Sequence, residues 1–280
     1  QAAAGSMWQA EDGGRRFTIA AGSGESWLRY RHLVPTYDDW QTIELDKRLP
    51  SSIGERPGEL VADYYAYNTP HYIKGDNVSF LEFSIPFKQY RPTAAIERHA
   101  GPGDPPNTSH DLWGVNYECY GMHWVDDLAM DADVEVTSKT GELSLMLVRG
   151  GVQHICRIDL ATGQATLSMT SPDGRAIEFQ SDDGQSRVAN PTATTSVRGP
   201  GRYGLRLSNC DHEMLLSVNG SVVKFDGPTT YYSDDLIKPY FTVEDPGDMA
   251  PAGVGAKDAA VKVTRLQMYR DKYYIATRGQ

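Results

Sequence analysis

"RYGLRLSNCDHEMLLSVNGSVVKFDG", residues 202–227, decides the fold. Tyr203, Leu205 and Leu207 point to one side of an extended chain, and Met214, Leu216 and Val218 repeat the pattern. Successive side chains of a strand face opposite ways, so each run reads as a half-buried strand. Asn219-Gly220 supplies two residues at ease with positive φ, the signature of a tight hairpin turn into 222–225. The exposed face of this hairpin carries little reactive chemistry.

Working outward, the same period recurs. Residues 131–137, 142–148, 152–158 and 164–169 read as successive strands. Their connections, "SKTG", "RGG" and "DLATG", each place Gly where a hairpin needs positive φ. Leu143, Leu145 and Leu147 alternate with Glu142, Ser144 and Met146, and Met130, Ala132, Val134 and Val136 alternate with three acids. Both predict half-buried antiparallel strands. A further strand is expected at 259–271, and short ones at 16–20 and 26–31. Residues 35–60 read as a surface excursion, 60–69 and 78–87 as strands, and 88–116 as a long Pro-rich loop with a helical turn at 94–98. No amphipathic helix longer than about three turns is visible. The expectation is an all-β sandwich or jelly roll with long irregular loops. It forms one domain over 1–280, with its strand-rich core at about 16–31, 60–87 and 120–275.

Composition sets limits on partners. Of 280 residues, 27 are basic and 37 acidic, a net charge of −10. That balance disfavours nucleic acid and anionic membrane surfaces. No apolar run reaches the roughly 18–20 residues that span a bilayer. The start, "QAAAGSMWQAEDGG", lacks a basic region followed by an apolar one and reads as an excision point, not a secretory leader. Cys119, Cys156 and Cys210 are too few and scattered for a disulfide framework. They read as buried small hydrophobes, with one pair left open to an oxidising compartment.

Two resemblances follow from these residues. "GRYGLRLSN…LLSVNGSVVKFDG" and the later "AAVKVTRLQMYR" resemble the closing strands of concanavalin A-like (laminin-G-like) sandwiches. That likeness covers about 120–275 and concerns fold, not function. The second rests on seven blocks in order: "SWLRYRHLVP" (26–35), "LVADYYAYNT" (60–69), "GMHWVDDLAM" (121–130), "GGVQHICRIDLATGQATLS" (150–168), "VRGPGRYGLRLSNCD" (197–211), "VVKFDGPTTY" (222–231) and "YRDKYYIAT" (269–277). They resemble a large segment that interrupts the extracytoplasmic catalytic region of planctomycete type I signal peptidases. In those enzymes the nucleophilic serine and the general-base lysine precede the segment, and a Gly-Asp-Asn box follows it. Here Ser6-Met7 is followed by Trp8-Gln9 without the Pro of the serine motif, and neither the lysine motif nor the closing box is present. No catalytic residue carries over. The resemblance implies a non-catalytic module on the extracytoplasmic (periplasmic) side of the inner membrane. Such a module meets the membrane only through parent segments and engages a protein or peptide partner.

The residues bear on other chemistries as well. A Ser/Lys pair needs a lysine neutralised by burial, whereas the lysines here lie in turns or beside valines on polar strand faces, as Lys224 does. Asp131, Asp133 and Glu135 project from one strand face. Two carboxyls so placed, about 5–5.5 Å apart, are what a retaining glycosidase uses, so hydrolysis stands as an alternative beside the plain reading of a polar outer face. Asp126-Asp127, Asp182-Asp183, Asp234-Asp235 and "DPGD" (245–248) offer oxygen ligands to Ca²⁺, without the spacing of a dedicated loop. The histidines show no zinc spacing, so no cofactor and no metal site is expected. Tyr65 and Tyr67 share a strand face and read as a stacking platform for a sugar ring or an extended peptide, which makes a carbohydrate-binding module the first alternative. His32, beside Arg29 and Arg31, reads as a packed residue or a contact for an acidic partner.

Overall fold

The computed structural model describes residues 7–22, 24–33, 37–45, 56, 58–63, 123–232, 239–242 and 244–271. In chain order the strands are β1 (Gln9–Glu11), β2 (Arg16–Ile19), β3 (Glu25–Tyr30), β4 (Ala62–Asp63), β5 (His123–Trp124), β6 (Leu128–Val136), β7 (Glu142–Arg149), β8 (Val152–Asp159) and β9 (Gln164–Thr170). They continue with β10 (Ala176–Ile177), β11 (Phe179–Gln180), β12 (Arg187–Val188), β13 (Thr192–Thr194), β14 (Gly201–Cys210), β15 (Glu213–Val218), β16 (Ser221–Val222), β17 (Ala252–Lys257) and β18 (Val261–Arg270). Among the described residues one α-helix, α1 (Tyr37–Glu44), falls in the expected surface excursion, and it is shorter than three turns.

The chain forms two compact units, residues 1–31 with 126–271 and residues 32–125 with 272–280. The first is an all-β sandwich of two antiparallel sheets. Sheet A runs β1-β2-β18-β6-β14-β15-β16, and sheet B runs β10-β9-β8-β7-β17-β3, with β13 also on β9. Of the second unit, the description covers α1 and a short β4–β5 pair that joins Ala62 to Trp124. Most of the expected strands at 60–69 and 78–87, and the loop at 88–116, lie outside the described residues.

The period read in the sequence builds the core. On β6, Leu128, Met130, Ala132, Val134 and Val136 are buried while Ala129, Asp131, Asp133 and Glu135 face the other way. On β14, Tyr203, Leu205, Leu207 and Asn209 are buried. Strands β6 and β14 lie against β7 of sheet B, whose Leu143, Leu145 and Leu147 are sealed from solvent. The Asn219-Gly220 turn takes the expected shape, both residues at positive φ (50° and 81°).

Two strands depart from the expected pattern. β7 is not half-buried. Ser144, Met146 and Val148, on its second face, are buried as well. Met146, Val148 and Ile155 of β8 form an apolar cluster there, with Trp27 packed against it. Trp27 lies on Gly255 of β17, where a Cβ would meet the indole ring at 3.0 Å. In β18 the ladder slips between Val263 and Arg265, leaving Thr264 as an extra residue, a β-bulge.

A buried carboxylate ties the far end of sheet B together. Asp248 sits in a 3-10 turn (Gly247–Met249) and accepts the backbone N–H of Gly150 (2.9 Å), Gly151 (2.8 Å) and Tyr240 (2.8 Å). The approach demands glycine at 247, where φ is +45° and a Cβ would lie 2.1 Å from the Tyr240 carbonyl oxygen.

Candidate functional site

The outer face of sheet A gathers the polar chemistry of the sandwich. Register fixes its layout. Across β14, β6 and β18, Arg202 is paired with Glu135 and Glu135 with Lys262. One step along, Gly204 pairs with Asp133 and Asp133 with Arg265. A further step gives Arg206, Asp131 and Gln267. The central strand therefore carries the acids and its neighbours carry the cations, the cross-strand arrangement that favours opposite charges.

The pairs differ in closeness. Arg206 grips Asp131 with two parallel bonds, Nε to Oδ1 at 2.5 Å and Nη2 to Oδ2 at 2.8 Å. Its guanidinium also stands 5.2 Å from the centre of the Tyr269 ring. Arg202 Nε lies 3.4 Å from Glu135, and Lys262 Nζ donates to Glu11 at 2.9 Å. Asp133 meets Arg265 at 3.9 Å and, among the described residues, its carboxylate accepts no hydrogen bond. Asn219 Oδ1 accepts the Gly204 N–H at 2.9 Å.

Two open grooves cross this face. The larger, about 590 Å³, is lined by Arg16, Asp133, Glu135, Arg202, Gly204 and Lys262 among others. The second, about 370 Å³, is lined by Asp131, Asp133, Gly204, Arg206, Ser217 and Asn219 among others. They meet at Asp133 and Gly204, where the missing side chain lowers the floor.

The structure thus places Asp131, Asp133 and Glu135 together on one face, as the spacing predicts. Each faces a basic side chain on a neighbouring strand, so the surface is a lattice of ion pairs. The Arg206 hydrogen bonds hold the Asp131 carboxyl below the usual carboxylate range. A carboxylate so clamped releases its proton and does not serve as a general acid. Tyr65 and Tyr67 lie outside the described residues. His32 is half-buried, and its carbonyl accepts the Glu59 N–H at 2.9 Å. The neighbouring Arg29 guanidinium is turned instead to the Ala250 carbonyl, Nη2 at 2.7 Å.

The acidic pairs offered to Ca²⁺ have other partners. Asp126 and Asp127 flank the buried Arg149, the latter at 3.4 Å, and burial pushes Asp126 up to about 6 against the pull of that guanidinium. Asp182 accepts the Tyr232 hydroxyl at 3.2 Å, and Asp183 accepts Ser181 Oγ at 2.5 Å. Asp234-Asp235 lie outside the described residues. Asp245 accepts the Gly247 N–H at 3.0 Å, and Asp248 is engaged as described above. Among the described residues no three His, Cys, Asp or Glu side chains converge as a metal site. Cys156 and Cys210 are free thiols, and Cys119 lies outside the described residues.

Sequence reasoning missed Arg202, Gly204, Arg206 and Arg265 as a set. The signal for the first three is the same period two: they alternate with Tyr203, Leu205 and Leu207. For Arg265 it is the broken spacing of β18, whose inward residues run 261, 263 and then 266, 268.

No family model and no curated protein matches the chain. Among solved structures it is similar to the carbohydrate-binding module CBM66 from Bacillus subtilis, at 11% identity over 51% of this chain and 74% of that one, with a TM-score of 0.33. It is also similar to sheep galectin-11 in complex with glycerol, at 10% identity over 51% of this chain and 90% of that one (TM-score 0.33). A tetrameric galectin from the ball sponge Cinachyrella sp. shows 13% identity over 51% of this chain and 92% of that one (TM-score 0.36). Likenesses at these scores bear on neither ligand nor chemistry.

Proposed function

We propose that this chain is a non-catalytic binding module that takes a saccharide on the outer face of sheet A. The observation that carries the reading is the pair of adjoining grooves, open to solvent and lined by carboxylates and guanidinium groups, of which Asp131 and Arg206 hold each other by two hydrogen bonds. Carboxylates and guanidinium groups side by side present paired acceptors and donors, which match the vicinal hydroxyls of a sugar ring. Size agrees as well, since volumes of several hundred Å³ suit small-ligand sites. A glycan array tests it. Specific binding that weakens in Arg202→Ala is expected, because that side chain is 84% exposed and its removal leaves the core alone. Loss in Tyr65→Ala or Tyr67→Ala, with Arg202→Ala unaffected, would move the binding face to those tyrosines. Array silence would sink the saccharide reading.

The seven sequence blocks favour a second reading, a protein-engaging module of a type I signal peptidase outside the cytoplasm. Its sharpest consequence is inertness as a peptidase. Among the described residues no lysine is buried; Lys139, Lys224 and Lys257 are exposed and Lys262 half-exposed. A Ser/Lys mechanism needs a desolvated amine beside the serine. Incubation with a signal-peptide substrate is expected to leave it intact, and any serine-dependent cleavage by this chain would reject a non-catalytic role.

A further inference from the structure

We propose that the gap at Gly204 is the subsite for a protonated amine, so that the saccharide bound on sheet A is an amino sugar; this deepens the saccharide reading and rests on it. On β14, the outward positions two residues to either side of Gly204 hold guanidinium groups, Arg202 and Arg206, each set against a carboxylate of β6. At 204 the cation is missing, and its carboxylate, Asp133, is present. The space a Cβ would fill is bordered by two acceptor oxygens, Asp133 Oδ1 at 3.6 Å and Asn219 Oδ1 at 3.7 Å from the Cβ position. Among the described residues other than Gly204 and its two chain neighbours, no donor borders it within 4 Å. Among the described residues the Asp133 carboxylate has only the 3.9 Å contact with Arg265, a side chain 53% exposed. The Asp133 carboxylate, together with the lone pair that Asn219 Oδ1 keeps after taking the Gly204 N–H (2.9 Å), suits an ammonium group, which has three N–H bonds to give and nothing to accept. Glycine inside a strand commonly marks a place where a ligand comes close to the backbone. Both grooves open onto this point, so a sugar carrying the amine has room on either side.

The test is an NMR titration of the ¹⁵N-labelled protein with a β-1,4-linked glucosamine tetramer and with its N-acetylated counterpart, at mildly acidic pH. The glucosamine tetramer should move the amide signals of Gly204 and Asn219, and the N-acetylated one should bind there about tenfold more weakly or not at all, since a charged hydrogen bond is lost. Two variants sharpen the result. Asp133→Asn removes the charge. Gly204→Arg fills the gap with the cation the lattice omits, and the Cβ meets only ordinary contacts there, so the fold should stand. Both should weaken the glucosamine tetramer about tenfold or more. Equal binding of the two tetramers at these amides would overturn the amine subsite and leave the saccharide reading intact. Unmoved Gly204 and Asn219 signals with both would overturn the subsite itself, and array binding would then judge the saccharide reading separately. Oligolysine moving these signals while the glucosamine tetramer does not would also overturn it, in favour of a protein ligand.

Discussion

At the scale of single residues, the buried polar groups at one end of the sandwich fix how stability responds to acid. His154 is wholly buried on β8, and its Nδ1–H donates to the Val152 carbonyl at 3.1 Å. Burial, and then the Arg149 cation beside it, push the imidazole down to about 3 from an ordinary 6.5. The other groups around it are Tyr231, with ring centres 5.0 Å apart, and His212. Between pH 6.5 and 3 the unfolded chain binds a proton here that the folded chain refuses. Stability from this residue is therefore full above 6.5 and drains away as the pH falls towards 3. Asp126 and Asp248, pushed up by burial to about 6 and about 7, act with the opposite sign above pH 4. The comparison that isolates the histidine is wild type against His154→Gln. Urea unfolding at pH 7 and pH 4 should show wild type losing about 3 kcal/mol more than the variant over that interval, order of magnitude. Parallel pH profiles would mean that His154 is charged in the fold or reached by water.

At the scale of elements, β18 shows what a sequence discloses and what it hides. Strict alternation made β6, β14 and β15 readable, because each has one buried and one solvent-facing side. The bulge at Thr264 left its trace only as a gap of three between inward residues, which alternation alone does not interpret. The second buried face of β7 is beyond local pattern, since the burial of Ser144, Met146 and Val148 is set by what packs there from elsewhere in the chain. The role of Asp248 is equally remote: its partners Gly150 and Gly151 are 98 and 97 residues away. The site followed the same division. The acids of β6 were legible by spacing, but the cations that answer them depend on pairing between distant strands. The bulge makes a prediction of its own. Deleting Thr264 removes the extra residue and keeps Val263 opposite Val134 and Arg265 opposite Asp133, at the cost of the Thr264 hydroxyl bond to the Asp133 carbonyl (3.1 Å). Deleting Leu266 instead sends Arg265 inward or turns Met268 outward, because one residue reverses every side chain beyond it. Chemical denaturation should find ΔLeu266 less stable than ΔThr264 by at least about 2 kcal/mol, from the burial of an unmatched charge or the loss of apolar contact. Equal stability would show that β18 tolerates either register.

At the scale of the whole molecule, the charge distribution separates long-range attraction from local fit. The chain carries −10 overall, yet the outer face of sheet A alternates its signs so that neighbouring charges largely cancel. A neutral sugar approaching that face feels little net field, and its binding depends on contacts made after arrival. A polycationic amino sugar is drawn by the molecule's overall charge before it reaches Asp133, and by Asp133 afterwards. Added salt acts on these two cases differently. Raising ionic strength from about 0.01 M to about 1 M shortens the Debye length from about 30 Å to about 3 Å, which removes the long-range part and weakens the exposed pair. Affinity for a glucosamine oligomer, followed by calorimetry across that range, should therefore fall several-fold, while a neutral oligosaccharide of the same length keeps its affinity. The Asp133→Asn variant should retain the salt dependence that comes from net charge but lose part of the affinity at every salt concentration, because only the contact at the Gly204 gap has been removed. Identical salt profiles for charged and neutral sugars would show that recognition on this sheet is made by hydroxyl groups alone.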